Sequence, residues 1–223
     1  MGGQNTSKLA PLGGVGQALV AHRFARLALE KAEELGQSLQ IYSCLTSLGL
    51  LYLNQSYLDE ALENYEAALR LLEEHPPEDP AEQAYYWALT TDHIGYVLVM
   101  KGSLREGLLK LEAAHDRARN LGITDLVTEI ATDLCFVHLR LGNLDEARSF
   151  GETALEMAEE HAYDFFRRNC YYHLGEVASQ SGNDAEADEY FRRLGEFYPQ
   201  FAFLGEFLRE YDISSMINLK EFA

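Results

Sequence analysis

Two histidines in this chain follow a pair of glutamates, His75 after Glu73-Glu74 and His161 after Glu159-Glu160. Imidazole beside carboxylate is the material of a metal site or a pH switch. Four short runs raise a second question: "SYLDEA" at 56–61, "GSLREG" at 102–107, "GNLDEA" at 142–147 and "GNDAEA" at 182–187. Acidic residues in a polar turn are what a cation loop or a catalytic loop needs. Cys44, Cys135 and Cys170 add three thiols. None of these develops into chemistry. The cysteines are odd in number, widely spaced and without a C-x-x-C pair, so they read as buried free thiols of a reducing compartment. No G-x-x-x-x-G-K-[ST], G-x-G-x-x-G, H-E-x-x-H or G-x-S-x-G occurs in the sequence. The run "GGVG" at 13–16 has no lysine behind it to hold a phosphate. The reading is a chain that is not an enzyme, with no metal and no cofactor.

The elements that carry these residues explain them better. "ALEKAEELG", "ALRLLEEHP", "AHDRARNLG", "ALEMAEEHA" and "LGEFYPQFA" begin at residues 28, 68, 114, 154 and 194, intervals of 40, 46, 40 and 40. The longer interval holds the extra "PPEDP" at 76–80. A repeat of this length is one helix, a turn and a second helix. In the third unit Val127, Ile130, Ala131, Leu134, Cys135 and Val137 recur at helical spacing and form one apolar face. Gly142 then ends the helix at positive φ, and Asp145 and Glu146 place negative charge at the start of the next. Ala147 lets the two helices approach, and Phe150, Ala154, Leu155 and Ala158 continue the buried face. The four polar runs are therefore joints, and His75 and His161 sit where second helices end and positive charge meets the dipole.

Apolar residues make up 47% of the 223, enough for a sizeable core, and the formal charge is −18. That charge disfavours nucleic acid and anionic membranes as partners, and suits solubility or attraction for basic partners. No run approaches the ~18 apolar residues of a membrane span. The start, "MGGQNTSKLAPLGG", is a poor signal peptide. The expected location is cytoplasmic, and residues 1–14 are set aside as disordered or left over from cloning.

The periodic positions resemble the tetratricopeptide repeat family, in a long variant of about 40 residues. The first full repeat carries Leu45, Leu48, Gly49, Tyr52, Ala61, Tyr65 and Ala68 at the family's places. The fourth carries Tyr171, Leu174, Gly175, Ala187, Phe191 and Pro199, with Ala178 for the usual tyrosine. The second keeps Ile94 and Gly95 but has Leu98, Gly107 and Leu111 elsewhere; the third keeps Leu134, Ala147 and Ala154 but has Cys135 for glycine and His138 for tyrosine. The resemblance implies an all-α, right-handed superhelical solenoid of antiparallel helix pairs over 15–200. A partial first repeat covers 15–37, full repeats cover about 38–80, 81–123, 124–163 and 164–199, and a capping helix and tail cover 200–223.

The family's first helices line a concave groove, which the resemblance implies is lined here by Leu50, Asn54, Asp92, Tyr96, Met100, Glu129, Asp133, Phe136, Arg140, Tyr172, Glu176 and Gln180. The partner-binding residues expected are Asp92, Tyr96, Met100, Glu129, Asp133, Phe136, Arg140, Tyr172 and Glu176. The basic clamp of chaperone-binding relatives is absent, its places holding Thr46, Leu50, His93, Glu129 and Asp133. The groove therefore favours a basic or apolar protein or peptide, with aromatic anchors and carboxylate partners. Two other readings stay open: the aromatics pack between helices, and the carboxylates form a solvated face. Asp92, Asp133 and Glu176 come from different repeats, and adjacent first helices about 10 Å apart are expected to keep two such carboxylates from sharing a metal without rearrangement. At the C-terminus Phe201, Leu204, Leu208 and Tyr211 form one stripe, and Phe203 and Phe207 another. With the strip Ile213, Met216, Ile217, Leu219 and Phe222, this segment caps the fold, supports a homodimer, or reaches into the groove. A second function is also in view, the sensory or regulatory domain of a bacterial signalling or transcription regulator, cut from a longer chain.

Overall fold

The computed structural model describes residues 14–201 and 203–210. Ten helices follow one another there: α1 (Gly14–Glu34), α2 (Ser38–Leu53), α3 (Leu58–Glu74), α4 (Pro80–Met100), α5 (Leu104–Leu121), α6 (Thr124–Leu141), α7 (Leu144–Glu160), α8 (Asp164–Gln180), α9 (Asp184–Glu196) and α10 (Leu204–Glu210). No strand occurs among the described residues. Each helix packs on its predecessor, and α6 also meets α4 and α8 across the intervening helices. This is an all-α solenoid, with α2, α4, α6 and α8 as the first helices of four pairs and α3, α5, α7 and α9 as the second.

The two kinds of helix differ in how much of their circumference they bury. In α7 the buried residues are Ala147, Gly151, Ala154, Leu155 and Ala158, a single stripe at helical spacing. The opposite face carries Asp145, Glu146, Glu152 and Glu156 to water. In α6, by contrast, every residue from Ile130 to Leu139 is buried. The helix α6 lies between α5 and α7 and also meets α4 and α8, so its middle is enclosed on every side.

Most of the joints follow one hydrogen-bond scheme. At the end of α6, Gly142 has φ 76°, its N–H donates to Leu139 O, and Asn143 N–H reaches back to His138 O at 2.9 Å. These two bonds satisfy carbonyls that the helix end leaves orphaned. The same pair closes α4 at Gly102, α8 at Gly182, α2 at Ser56 and α7 at Ala162. Ser56 and Ala162 adopt the left-handed conformation without being glycine, at φ 61° and 56°. Asp145 and Glu146 stand in the first turn of α7, as their charge requires.

Close crossing of the two helices rests on missing Cβ atoms. A Cβ on Gly49 would meet the Tyr65 ring at 2.7 Å, and one on Gly175 would meet the Phe191 ring at 2.3 Å. The third repeat puts its glycine on the other helix, at Gly151.

At the C-terminal end Leu208 of α10 is buried in one core cluster with Tyr172, Leu174, Phe191 and Leu194. Leu204 packs against that cluster, while Phe201, Phe203 and Phe207 are exposed. Tyr211 and the strip from Ile213 to Phe222 lie outside the described residues, as do residues 1–13 of the N-terminal stretch.

Candidate partner-binding groove

The first helices set the candidate residues in two tiers. Toward their C-terminal ends, Asn54, Met100, Arg140 and Gln180 occupy the same place in successive repeats. Asn54, Arg140 and Gln180 are exposed and Met100 is half-buried. This rim is the accessible part of the expected set. The tier deeper in the helices is buried: Asp92 is 0% exposed, Asp133 2% and Glu176 7%. Glu129, a turn before Asp133, keeps 22% of its side chain accessible.

The expected aromatics lie in the core. Tyr96 and Phe136 belong to one buried cluster and Tyr172 to the next, with exposures of 0, 1 and 3%. They form a layer across α4, α6 and α8. The Tyr96 and Phe136 ring centres are 6.0 Å apart, Phe136 and His173 5.3 Å, and Tyr172 and His173 5.2 Å. Arg140 reaches from the rim to lay its guanidinium 5.8 Å from the Phe136 ring centre. These rings hold neighbouring first helices together, and truncating them would be a change to the core.

His173 is the unusual member of the layer. It has no exposed surface, and neither ring nitrogen has a hydrogen-bond partner. Burial therefore pushes its pKa down to about 3, and the imidazole is neutral. His93, at the equivalent place on α4, packs on Tyr65 with the rings tilted and their centres 4.9 Å apart. Its Nε2 stands 3.8 Å from Glu129 Oε1, and its Nδ1 is buried without a partner. The expected spacing between first helices concerns Asp92, Asp133 and Glu176 and does not cover Glu129. Donor atoms of Asp92, His93 and Glu129 lie within 4.8 Å of one another. Glu129, one turn nearer the helix start than Asp133, is the α6 residue that comes level with α4.

His75 and His161 end α3 and α7. The His161 Nδ1 lies 3.0 Å from Met157 O, within the last turn of its own helix. The thiols are free, Cys135 and Cys170 buried and Cys44 half-buried. Burial pushes the Cys170 thiol up to about 12, so it is protonated and poorly nucleophilic.

Sequence reasoning did not find a cleft of about 290 Å³ where α8, α9 and α10 meet, lined by Asn169, Tyr172, Leu194, Tyr198, Leu204 and Leu208. The signal available was the Leu204 and Leu208 stripe. What the stripe packs against is set by the fold of the last repeat, which sequence spacing alone does not define. Also missed was Arg148, whose guanidinium donates to both carboxylate oxygens of Glu186 at 2.6 and 2.9 Å, tying α7 to α9.

Helix pairs stacked at this period define a helical-repeat solenoid, and the comparisons name the repeat. Residues 125–200 match one family model of the tetratricopeptide repeat and residues 42–75 match another. These two stretches are tetratricopeptide repeats. No curated protein matches it by sequence. Among solved structures, BtubC (BKLC) from P. vanneervenii is 18% identical, with a TM-score of 0.67 over 84% of this chain and 75% of that one. The Rap conjugation gene regulator of the plasmid pLS20, solved in complex with the Phr* peptide, is 20% identical, with a TM-score of 0.63 over 86% of this chain and 48% of that one. The apo form of RapI is 16% identical, with a TM-score of 0.64 over 82% and 50%. The chain spans about half the length of the two Rap proteins. At these identities the likeness concerns the fold. Among the described residues no helix is long and apolar enough to cross a membrane.

Proposed function

We propose that this chain is a non-catalytic, cytoplasmic scaffold that binds a basic or apolar protein segment along its first helices. Tetratricopeptide repeats are in general a protein-interaction fold without chemistry of their own. The observation that carries the finer reading is the gathering of four carboxylates, Asp92, Glu129, Asp133 and Glu176, on three successive first helices of a chain with formal charge −18. A guanidinium or ammonium group of a partner is steered toward this charge and pairs at Glu129, the most accessible of the four.

Glu129, Met100 and Arg140 make the first contacts, because they retain exposed surface where the deeper carboxylates and aromatics do not. The experiment is a binding titration with labelled cationic, apolar and acidic peptides of equal length. Tighter binding of the cationic set, weakened by Glu129→Gln and by raising salt, supports the reading. Equal affinity for acidic peptides would overturn it. A homodimer through the C-terminal segment is a further part of this proposal, since Phe203 and Phe207 are exposed there. Its check is the mass in solution of Phe203→Ala/Phe207→Ala.

A second reading has one observation behind it. The Rap conjugation gene regulator shares the fold and was solved with a peptide. In that reading the chain is the sensory part of a bacterial regulator, and peptide binding changes the curvature of the solenoid. Small-angle scattering with and without bound peptide tests it, an unchanged profile counting against it.

A further inference from the structure

Asp92 and His93 are consecutive on α4, and Glu129 stands on α6. Consecutive helical side chains diverge by about 100°. They converge on a shared ligand only when it lies in the wedge between them, and Glu129 closes that wedge from the neighbouring helix. One donor atom from each of the three lies within 4.8 Å of the other two. The imidazole is oriented by packing on Tyr65 at 4.9 Å, and its Nε2 is 3.8 Å from Glu129 Oε1, too far for a hydrogen bond. Its Nδ1 is buried and has no partner. The two helices thus bring a ring nitrogen and two carboxylates within reach of one point.

We propose that Asp92, His93 and Glu129 form a binding site for a divalent first-row transition ion, Zn²⁺ in the first instance. One nitrogen and two oxygen donors suit that class. Mg²⁺ and Ca²⁺ take oxygen alone, and soft ions take sulfur. Zn²⁺ bonds of about 2.0–2.2 Å need the donors to close in somewhat from their present spacing. Glu129, with 22% of its side chain accessible, has the freedom to do so. Three protein ligands leave a fourth position for water or for a donor group of a partner. The site stands independently of the peptide-binding proposal, since it rests on the three donors and on no partner.

The experiment titrates the full chain with ZnCl₂ by calorimetry, alongside His93→Ala, Glu129→Gln and the control His161→Ala at an exposed helix end. The expected result is one ion per chain, with affinity reduced at least tenfold in both site variants and unchanged in the control. Circular dichroism establishes that each variant is folded. Glu129→Gln, a nearly isosteric change, keeps the test intact should His93→Ala unfold. Co²⁺ supplies a second readout: its visible absorption bands appear with the parent protein and not with the site variants. No stoichiometric binding, or equal binding by the parent and both site variants, overturns the proposal.

Discussion

Cys135 Sγ lies 3.0 Å from the point where a Cβ on Gly151 would sit. In the first and fourth repeats the glycine is on the first helix, Gly49 or Gly175, and the bulk is on the second, Tyr65 or Phe191. The third repeat exchanges the two sizes and keeps the crossing close. Gly151→Ala should destabilise the protein by about 1–3 kcal/mol, the usual cost of overpacking. Gly175→Ala, facing the Phe191 ring at 2.3 Å, should cost more. The added Cβ would also meet Leu174 Cδ2 at 2.8 Å, nearer than the sulfur, so Cys135→Ala should relieve part of the clash and couple favourably with Gly151→Ala in a double-mutant cycle. Urea midpoints give the answer, and strict additivity would show that the sulfur is not the obstacle.

Two of the joints can be improved. Ala162 and Ser56 hold the left-handed conformation that glycine holds at Gly102, Gly142 and Gly182. An L-residue there costs about 1–2 kcal/mol, partly offset by the lower chain entropy of a non-glycine in the unfolded state. Ala162→Gly should therefore raise stability by up to about 1 kcal/mol, and Gly142→Ala should lower it by a similar amount. Thermal melts of the two variants should shift in opposite directions.

Acid should destabilise the fold through His173. Its folded pKa is lowered to about 3 by burial, below the ordinary histidine value near 6.5. The unfolded chain then binds the proton more readily, so this contribution is complete above pH 6.5 and declines as pH falls from there toward 3. Between pH 7 and 5 the loss is about 2 kcal/mol. His115 and His138, both lowered by burial, act in the same direction. His173→Phe, which keeps a ring against Phe136 and Tyr172, should flatten the slope without abolishing it. Denaturation midpoints at a series of pH values decide; an unchanged slope would mean that the ring gains a proton partner on folding.

The last repeat is fastened by Arg148 and Glu186. Each keeps a little under a third of its side chain accessible. The hydrogen bond to Arg148 lowers the Glu186 pKa, so this stabilisation is present above the ordinary carboxylate range and is lost as pH falls through the folded value. Glu186→Gln should cost about 0.5–1 kcal/mol at low salt and less at high salt. The loss should be local: hydrogen exchange should speed up in α9 and α10 and stay unchanged in α4 and α5.

The sequence alone determined the period, the helix pairs and the joints. Each of these depends on residues near one another along the chain: an apolar stripe recurring every three or four places, a glycine at a helix end, an acidic pair in a first turn. The identity of Gly142, Asp145, Glu146 and Ala147 was enough to place the turn between α6 and α7. Tertiary structure decided what distance along the chain conceals. It buried Tyr96, Phe136 and Tyr172 in one ring layer with His173, because a first helix is enclosed by neighbours that local patterning does not display. It brought Glu129 to Asp92 and His93, a meeting set by how far α6 slides along α4. It also exchanged the roles of Cys135 and Gly151, since close packing fixes the summed volume at a crossing and leaves open which helix carries the bulk.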